Sequence, residues 1–349
     1  MPTLYVTQPG ATIRVLEGHF FLFLDPESGN STASSRGNVL LEVKPHRLEW
    51  IGVVGRVHVT RDALSLCLEK GISIAWYTWG GDFQGRLTPK NARSGDLRLA
   101  QMRMALDASS SLAMARRIIA AKCGHAAEVL RRIQSNQPGL LDLAMVLKDM
   151  GQWEQRIVAA VDAESLLGYE GGASKSYFSV LRHGFRGDIP FLGRQRRPPP
   201  DPANALLSFG YVLLGNRLAG LLEGRGLDPA VGFFHVPRPG RASLSLDLLE
   251  EFRHAVVDRF VMRTCNLRTL RRDMFEADPE SGGVRLTRDG LKIFFTAWGN
   301  YLERPITLAG GEKLTINELL RHQVNNLAMA IRGEREYQPF RLDGQGEGE

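Results

Sequence analysis

The chain has 349 residues, 43% of them hydrophobic, with 44 Lys and Arg against 38 Asp and Glu. That length holds one large or two ordinary domains with a sizeable core, and the positive excess suits a negatively charged partner, nucleic acid first and anionic membrane second. Three widely spaced cysteines, Cys67, Cys123 and Cys265, with no CxxC pair, exclude a disulfide framework and a zinc knuckle and point to a reducing cytoplasm.

Up to about residue 90 the hydrophobic period is close to two. "TLYVTQPGATIRVLEGHFFLFLD" alternates or runs β-rich between Pro9, Gly10 and Gly18, and its "FFLFL" is too short to span a bilayer. No charged segment followed by an apolar stretch and a cleavage site opens the chain, so the reading is a cytoplasmic protein. The polar stretch "DPESGNSTASSRGN" at 25–38 reads as an exposed, mobile loop. "RDALSLCLEKG" is a short helix ending at Gly71, and Gly80-Gly81 marks a hairpin within "GISIAWYTWGGDFQGRL". From Asp96 the period changes to about 3.6, and helical segments rich in Ala, Leu, Met and Arg continue to about 333. The expected fold is α+β: a β-rich domain over 1–92, a larger all-α domain over 97–335, and a disordered tail over 336–349.

In "VGFFHVPRPGRASLSLDLLEEFRHAVVDRF", at about 100° per residue, Leu249, Phe252, Val256 and Phe260 share one helical face. Asp247, Glu250, Glu251, His254 and Asp258 fall opposite, and two readings stay open for them: a solvated polar face, or ligands for a cation. Ser243 and Ser245 are candidate caps for that helix. His235, on a turn just ahead, makes the second reading concrete, because an imidazole and a carboxylate supply two of the three ligands a catalytic divalent site usually needs. A third candidate is Glu170 in "SLLGYEGGASKSYF", which shares a helical face with Ala173 and Tyr177. The glycines around it either break the helix and expose Glu170, or admit a close neighbour. Arg194, Arg196 and Arg197, on the proline-stiffened "GRQRRPPPDPANALL", are phosphate-binding candidates or solvated surface, and Asn204 is a helix cap or a substrate contact. The phosphate-loop, HExxH, GxSxG and GxGxxG patterns do not occur.

At "YEGGASKSYF", "RRPPPDPANALLSFGYVLL", "GFFH" and "SLDLLEEFR" the sequence resembles the universal CRISPR-associated integrase, the first-numbered Cas protein family, over nearly its whole length. Its two ends, "TLYVTQPGAT" and "VNNLAMAIRGEREYQPF", look most like the subtype I-C branch. The resemblance implies an N-terminal β-rich dimerisation domain, an α-helical catalytic domain, a homodimer, and assembly with the small second-numbered Cas protein into a heterohexameric integration complex on double-stranded DNA. It places the metal-binding and catalytic roles on Glu170, His235 and Glu250, a nearby second acid on Asp247, and a DNA-phosphate contact on Arg253. Tyr177 and Asn204 match recurrent positions near the site, with no proton-transfer role assigned. The implied cofactor is Mn²⁺ or Mg²⁺, the mixed nitrogen and oxygen donors suiting the former well.

The implied reaction is attack of a prespacer 3′-hydroxyl on a phosphodiester at the leader–repeat junction. With water in its place the same site is a nuclease. The alternatives are a general metal-dependent nuclease for branched DNA, a non-catalytic DNA-binding scaffold and, more distantly, a zinc hydrolase.

Overall fold

The computed structural model describes residues 3–24, 39–89, 95–195, 197–279 and 281–343. The expected loop at 25–38, much of the 90–97 boundary and the last six residues lie outside them. The chain forms two compact units, Met1–Arg93 with Arg288–Asn300, and Ser94–Thr287 with Tyr301–Glu349.

The first unit follows the alternating sequence. Its strands are β1 (Thr3–Val6), β2 (Ala11–Leu16), β3 (His19–Leu24), β4 (Val39–Val43), β5 (Trp50–Val54), β6 (His58–Val59), β7 (Ser73–Tyr77) and β8 (Phe83–Leu87), with helix α1 (Arg61–Lys70) between β6 and β7. One sheet has the order β1-β5-β7-β8 and the other β4-β3-β2-β6. β1, β5 and β7 run parallel, whereas β7 returns antiparallel to β8 through the Gly80-Gly81 turn. Because one face of a strand repeats every second residue, Ile51, Val53, Ile72, Ile74, Ile13 and Phe20 meet Ala63 and Cys67 of α1 in one core. α1 starts at Thr60, whose hydroxyl accepts from the Ala63 N–H, and stops at Gly71, which takes the left-handed conformation at φ 75°.

The second unit is helical, with two short hairpins. Its elements are α2 (Gly95–Leu106), α3 (Ala108–Asn136), α4 (Leu141–Val158), α5 (Ala163–Val180), α6 (Pro202–Arg225), α7 (Ser243–Phe252), a π-helical segment Arg253–Asp258, α8 (Arg259–Asn266), hairpin β9–β10 (Phe275–Ala277, Val284–Leu286), hairpin β11–β12 (Pro305–Thr307, Lys313–Thr315) and α10 (Ile316–Ile331). Between β10 and β11, α9 (Arg288–Leu302) returns to the first unit, where Phe295 stacks on Tyr5 at 4.5 Å. α6 is long and apolar enough to cross a membrane, and most of it is buried inside the protein. All three cysteines are free and buried.

The tail over 336–349 is not disordered as far as Asp343. Tyr337 is 2% and Phe340 5% exposed. Tyr337 donates its hydroxyl to Glu251, and Phe340 stacks against His125 and Phe252. The composition reading fails because two aromatics in an otherwise polar stretch are enough to pin it to a core.

His125 has a measurable consequence. Burial, which outweighs its hydrogen bond to the Glu251 carbonyl, lowers the imidazole to about 4. A histidine depressed in the fold contributes stability that is present above its unfolded value, about 6.5, and lost as pH falls through the folded one. His125→Asn keeps a donor toward Glu251 but does not titrate. Urea unfolding of the two proteins is therefore expected to show wild type losing about 3 kcal/mol relative to the variant between pH 6.5 and 4. A constant difference across that range would refute the assignment.

Candidate active site

Glu250 lies on α7, which packs between α3 and α6. This overturns the reading of a solvated acid face: Asp247, Glu250, Glu251, His254 and Asp258 are all buried, as are the apolar residues opposite. A 3.6-residue wheel also stops describing the chain at Arg253, where the π-helical turn begins. Within it His254 Nδ1 meets Asp258 Oδ2 at 2.7 Å, and Arg253 reaches back to Glu250. Neither serine caps α7; Ser243 donates to the Val236 carbonyl at 3.2 Å and Ser245 to that of Gly215 at 2.5 Å.

His235 stands on a turn held from three sides. Gln101 of α2 donates to the carbonyls of Asp228 and Val231, both at 2.8 Å, and accepts from the Asp228 N–H. Ser111 of α3 donates to the Phe233 carbonyl. Asp247 accepts from the N–H groups of Phe233, Phe234 and His235 at 2.5, 3.0 and 2.8 Å, and takes His235 Nδ1 at 2.7 Å. Gly232 permits this approach, since a Cβ there would lie 2.6 Å from Asp247 Oδ2. A carboxylate only accepts, so the proton sits on Nδ1 and the Nε2 lone pair faces outward, 3.9 Å from Glu250 Oε1. Asp247 therefore orients the histidine from behind.

Glu170, from the middle of α5, completes the group. The glycines beside it do not break the helix. Gly172 admits the Trp153 ring, whose Cη2 would lie 2.5 Å from an added Cβ, so the close neighbour is an aromatic side chain of α4. Between Glu170 and Glu250 lies Lys122 of α3. Its Nζ contacts Glu170 Oε1 directly and Glu250 Oε2 at 2.7 Å. Ser174 donates to the same Glu170 oxygen at 2.8 Å, and Arg253 Nε stands 3.0 Å from Glu250 Oε2. Two cations therefore stand on this one buried oxygen.

Burial would raise the Glu250 carboxyl, but the charges of Arg253 and Lys122 hold it at about 2. Burial and the Glu250 charge push Glu170 up, while Lys122 and Ser174 more than offset them and leave it below the ordinary carboxylate value. Both acids are thus kept ionised in a buried site, where ligands must be.

Other residues singled out in the sequence lie elsewhere. Tyr177 is fully buried and donates to Asp258 Oδ2 at 2.9 Å, beside Tyr211, which donates to Asp258 Oδ1 at 2.5 Å, and His254. Asn204 is not the cap of α6; Asp201 is, accepting from the Asn204 N–H at 2.8 Å. The Asn204 amide fastens the preceding loop through the Gly193 carbonyl, the Gln195 N–H and Arg194. Arg194 is consequently not an open phosphate ligand: its guanidinium is tied to Asn204, Ser208 and the Gln195 carbonyl and lies over the Tyr211 ring. Arg196 lies outside the described residues, and Arg197 is exposed.

Lys122 was not singled out from the sequence. Its signal was a lysine one turn from Ile118, Ile119 and Ala126, on the buried face of α3, a place where lysine is rare without a partner.

The model of the family "CRISPR associated protein Cas1" matches residues 4–300. The chain belongs to the Cas1 family. A relative named CRISPR-associated endonuclease Cas1 1, from Chlorobaculum tepidum, is 35% identical over 306 residues, covering 84% of this chain and 88% of its own. Among solved structures, a casposase bound to integration product superposes with TM-score 0.80 at 21% identity, covering all of this chain and 95% of the other. A Cas6-RT-Cas1–Cas2 complex contains a chain that superposes with TM-score 0.76 at 20% identity, over 99% of this chain and 36% of that one. At such identities these likenesses are ones of fold. Among the described residues, no group of three or more His, Cys, Asp or Glu is arranged to hold a metal ion as it stands. The donor chemistry of this Cas1 site nevertheless fits one. It offers two ionised carboxylates and an outward imidazole lone pair fixed from behind by an acid.

Proposed function

We propose that this chain is a DNA endonuclease and integrase of CRISPR adaptation, joining a DNA 3′-hydroxyl to a phosphodiester of the repeat array. The observation that carries the reading is that Glu250 shares Lys122 with Glu170 and stands 3.9 Å from His235 Nε2, with His235 clamped by Asp247. Relatives that are named endonucleases, and a fold neighbour bound to an integration product, support the same chemistry.

In the reaction one P–O bond forms to the incoming 3′-oxygen and one breaks to the departing 3′-oxygen, so no external energy source is needed. Glu170, His235 and Glu250 would hold Mn²⁺ or Mg²⁺, which would supply positive charge to the phosphorane-like transition state and acidify the attacking hydroxyl. The protein's own part is positional. Asp247 fixes the histidine tautomer, the loop clamps of Gln101 and Ser111 fix its place, and Lys122 and Arg253 keep both glutamates charged. Exposed Arg197 and the overall positive charge suit the DNA backbone, binding it without reading its bases.

The assembly belongs to the same reading: a cytoplasmic homodimer joined to the second-numbered Cas protein. The Cas6-RT-Cas1–Cas2 complex that shares this fold supports that partner.

The test is half-site integration into a repeat-bearing plasmid in the presence of that partner, with and without a chelator. Wild type is expected to give metal-dependent joined products, and His235→Ala to lose them by about 100-fold or more. Degradation without joined products would favour a general nuclease. Joining that survives both the chelator and the substitution would defeat the reading.

A further inference from the structure

Lys122 lies among the proposed ligands without being one of them. Its side chain is 8% exposed, and its ammonium touches Glu170 Oε1 and Glu250 Oε2 together. A buried ion triad of this kind is no better for stability than a packed apolar one, because desolvation cancels most of the attraction. Stability alone therefore gives no reason for a lysine here. The position does: its ammonium lies between the two carboxylates, against Glu170 Oε1 and Glu250 Oε2. With Arg253 also beside Glu250 Oε2, two glutamates face two cations, and the cluster is charge-balanced as it stands.

We propose that Lys122 is a built-in placeholder for the divalent ion, holding Glu170 and Glu250 together until the ion displaces it. The inference rests on the metal reading above. Three observations argue for displacement. An ammonium and a divalent ion both require anionic oxygen, and Lys122 takes one oxygen from each of the two carboxylates proposed as ligands. The lysine sits on α3, an element that contributes none of the proposed ligands, so it withdraws without moving them. Its stem is flexible and its charge compact, unlike the planar Arg253 stacked 4.6 Å over Tyr211, which is fixed in place. The released ammonium would then lie next to the bound DNA and be available to a phosphate oxygen.

The experiment measures Mn²⁺ affinity directly, by calorimetry and by manganese paramagnetic resonance, on wild type, Lys122→Met and Lys122→Arg without DNA. Methionine keeps the apolar stem and removes the competing charge; arginine keeps the charge. Lys122→Met is expected to bind Mn²⁺ at least tenfold more tightly than wild type, and Lys122→Arg no more tightly. Circular dichroism checks folding, and Lys122→Gln serves in place of Lys122→Met if that variant does not fold. Equal or weaker binding by the charge-removing variant, with wild type binding measurably, would overturn the placeholder role while leaving the metal reading intact. No Mn²⁺ binding by any of the proteins would remove the metal reading, and the inference with it.

Discussion

Glu250→Gln is expected to lose strand transfer by about 10³-fold and to unfold roughly 3–5 kcal/mol more easily than wild type. Both effects follow from the same geometry. The carboxylate is 4% exposed and is the acid that Arg253 touches, while sharing Lys122 with Glu170. Neutralising it leaves a buried guanidinium facing an amide, and one ligand fewer. Removing one member of a buried ion cluster is far more costly than never having built it, because the remaining charge stays desolvated and unpaired.

Glu170→Gln supplies the contrast. Lys122 then still has Glu250 and Arg253 keeps its partner, so the stability loss should be clearly smaller while the activity loss stays of the same order. Urea unfolding and the integration assay, run on both variants below their melting temperatures, check this. Equal stability losses would refute the electrostatic account of the cluster.

The second large effect falls on a residue that touches no reacting atom. Asp247→Asn, nearly identical in shape, is expected to reduce activity about 10–100-fold and stability by roughly 2–4 kcal/mol. Asp247 receives four donors, two on each oxygen: the Phe233 and Phe234 N–H groups on Oδ2, and the His235 N–H and Nδ1 on Oδ1. An amide accepts through its oxygen only. Either rotamer therefore sets an NH₂ against two donors, and one of those rotamers turns it against His235 Nδ1. His235 then loses the partner that selects its tautomer. Chemical shifts of the His235 ring nitrogens in a labelled protein report that tautomer independently of turnover. Unchanged ring shifts and full activity in the Asp247→Asn variant would show that the clamp does not position the histidine.

The β-rich N-terminal region was legible, though not the return of α9 to its unit, because an alternating strand and a glycine-ended helix are local properties. Ile13, Ile51, Val53 and Ile74 repeat at strand spacing, and Gly71 stops α1 where a left-handed residue is required. The passage to helices near Asp96 was legible for the same reason. The acid-bearing helix was not. Its wheel was drawn at one constant period, but the chain changes period at Arg253, and a π-turn has no composition of its own. Nor does an acid-rich sequence say that α3 and α6 enclose it with cations and hydroxyls suited to each carboxylate. Arg194 illustrates the converse, a loop arginine that looks free in the sequence and is held internally by Asn204 and Ser208.

For the site itself, Glu170, His235 and Glu250 were nameable in advance as residue types able to bind a cation, and family likeness singled them out from others of their kind. The sequence alone determined the N-terminal strands, the helical period beyond Asp96 and which side chains have the chemistry, because propensity, periodicity and ligand character belong to residues and their near neighbours. Only the tertiary structure decided that α3, α5, α7 and the turn at His235 meet, that Asp247 stands behind the histidine, and that Lys122 lies between the glutamates. The clamp joins residues 12 positions apart and the Lys122–Glu170 pair residues 48 apart. Long-range packing, which no local pattern encodes, sets their distances and their charge states.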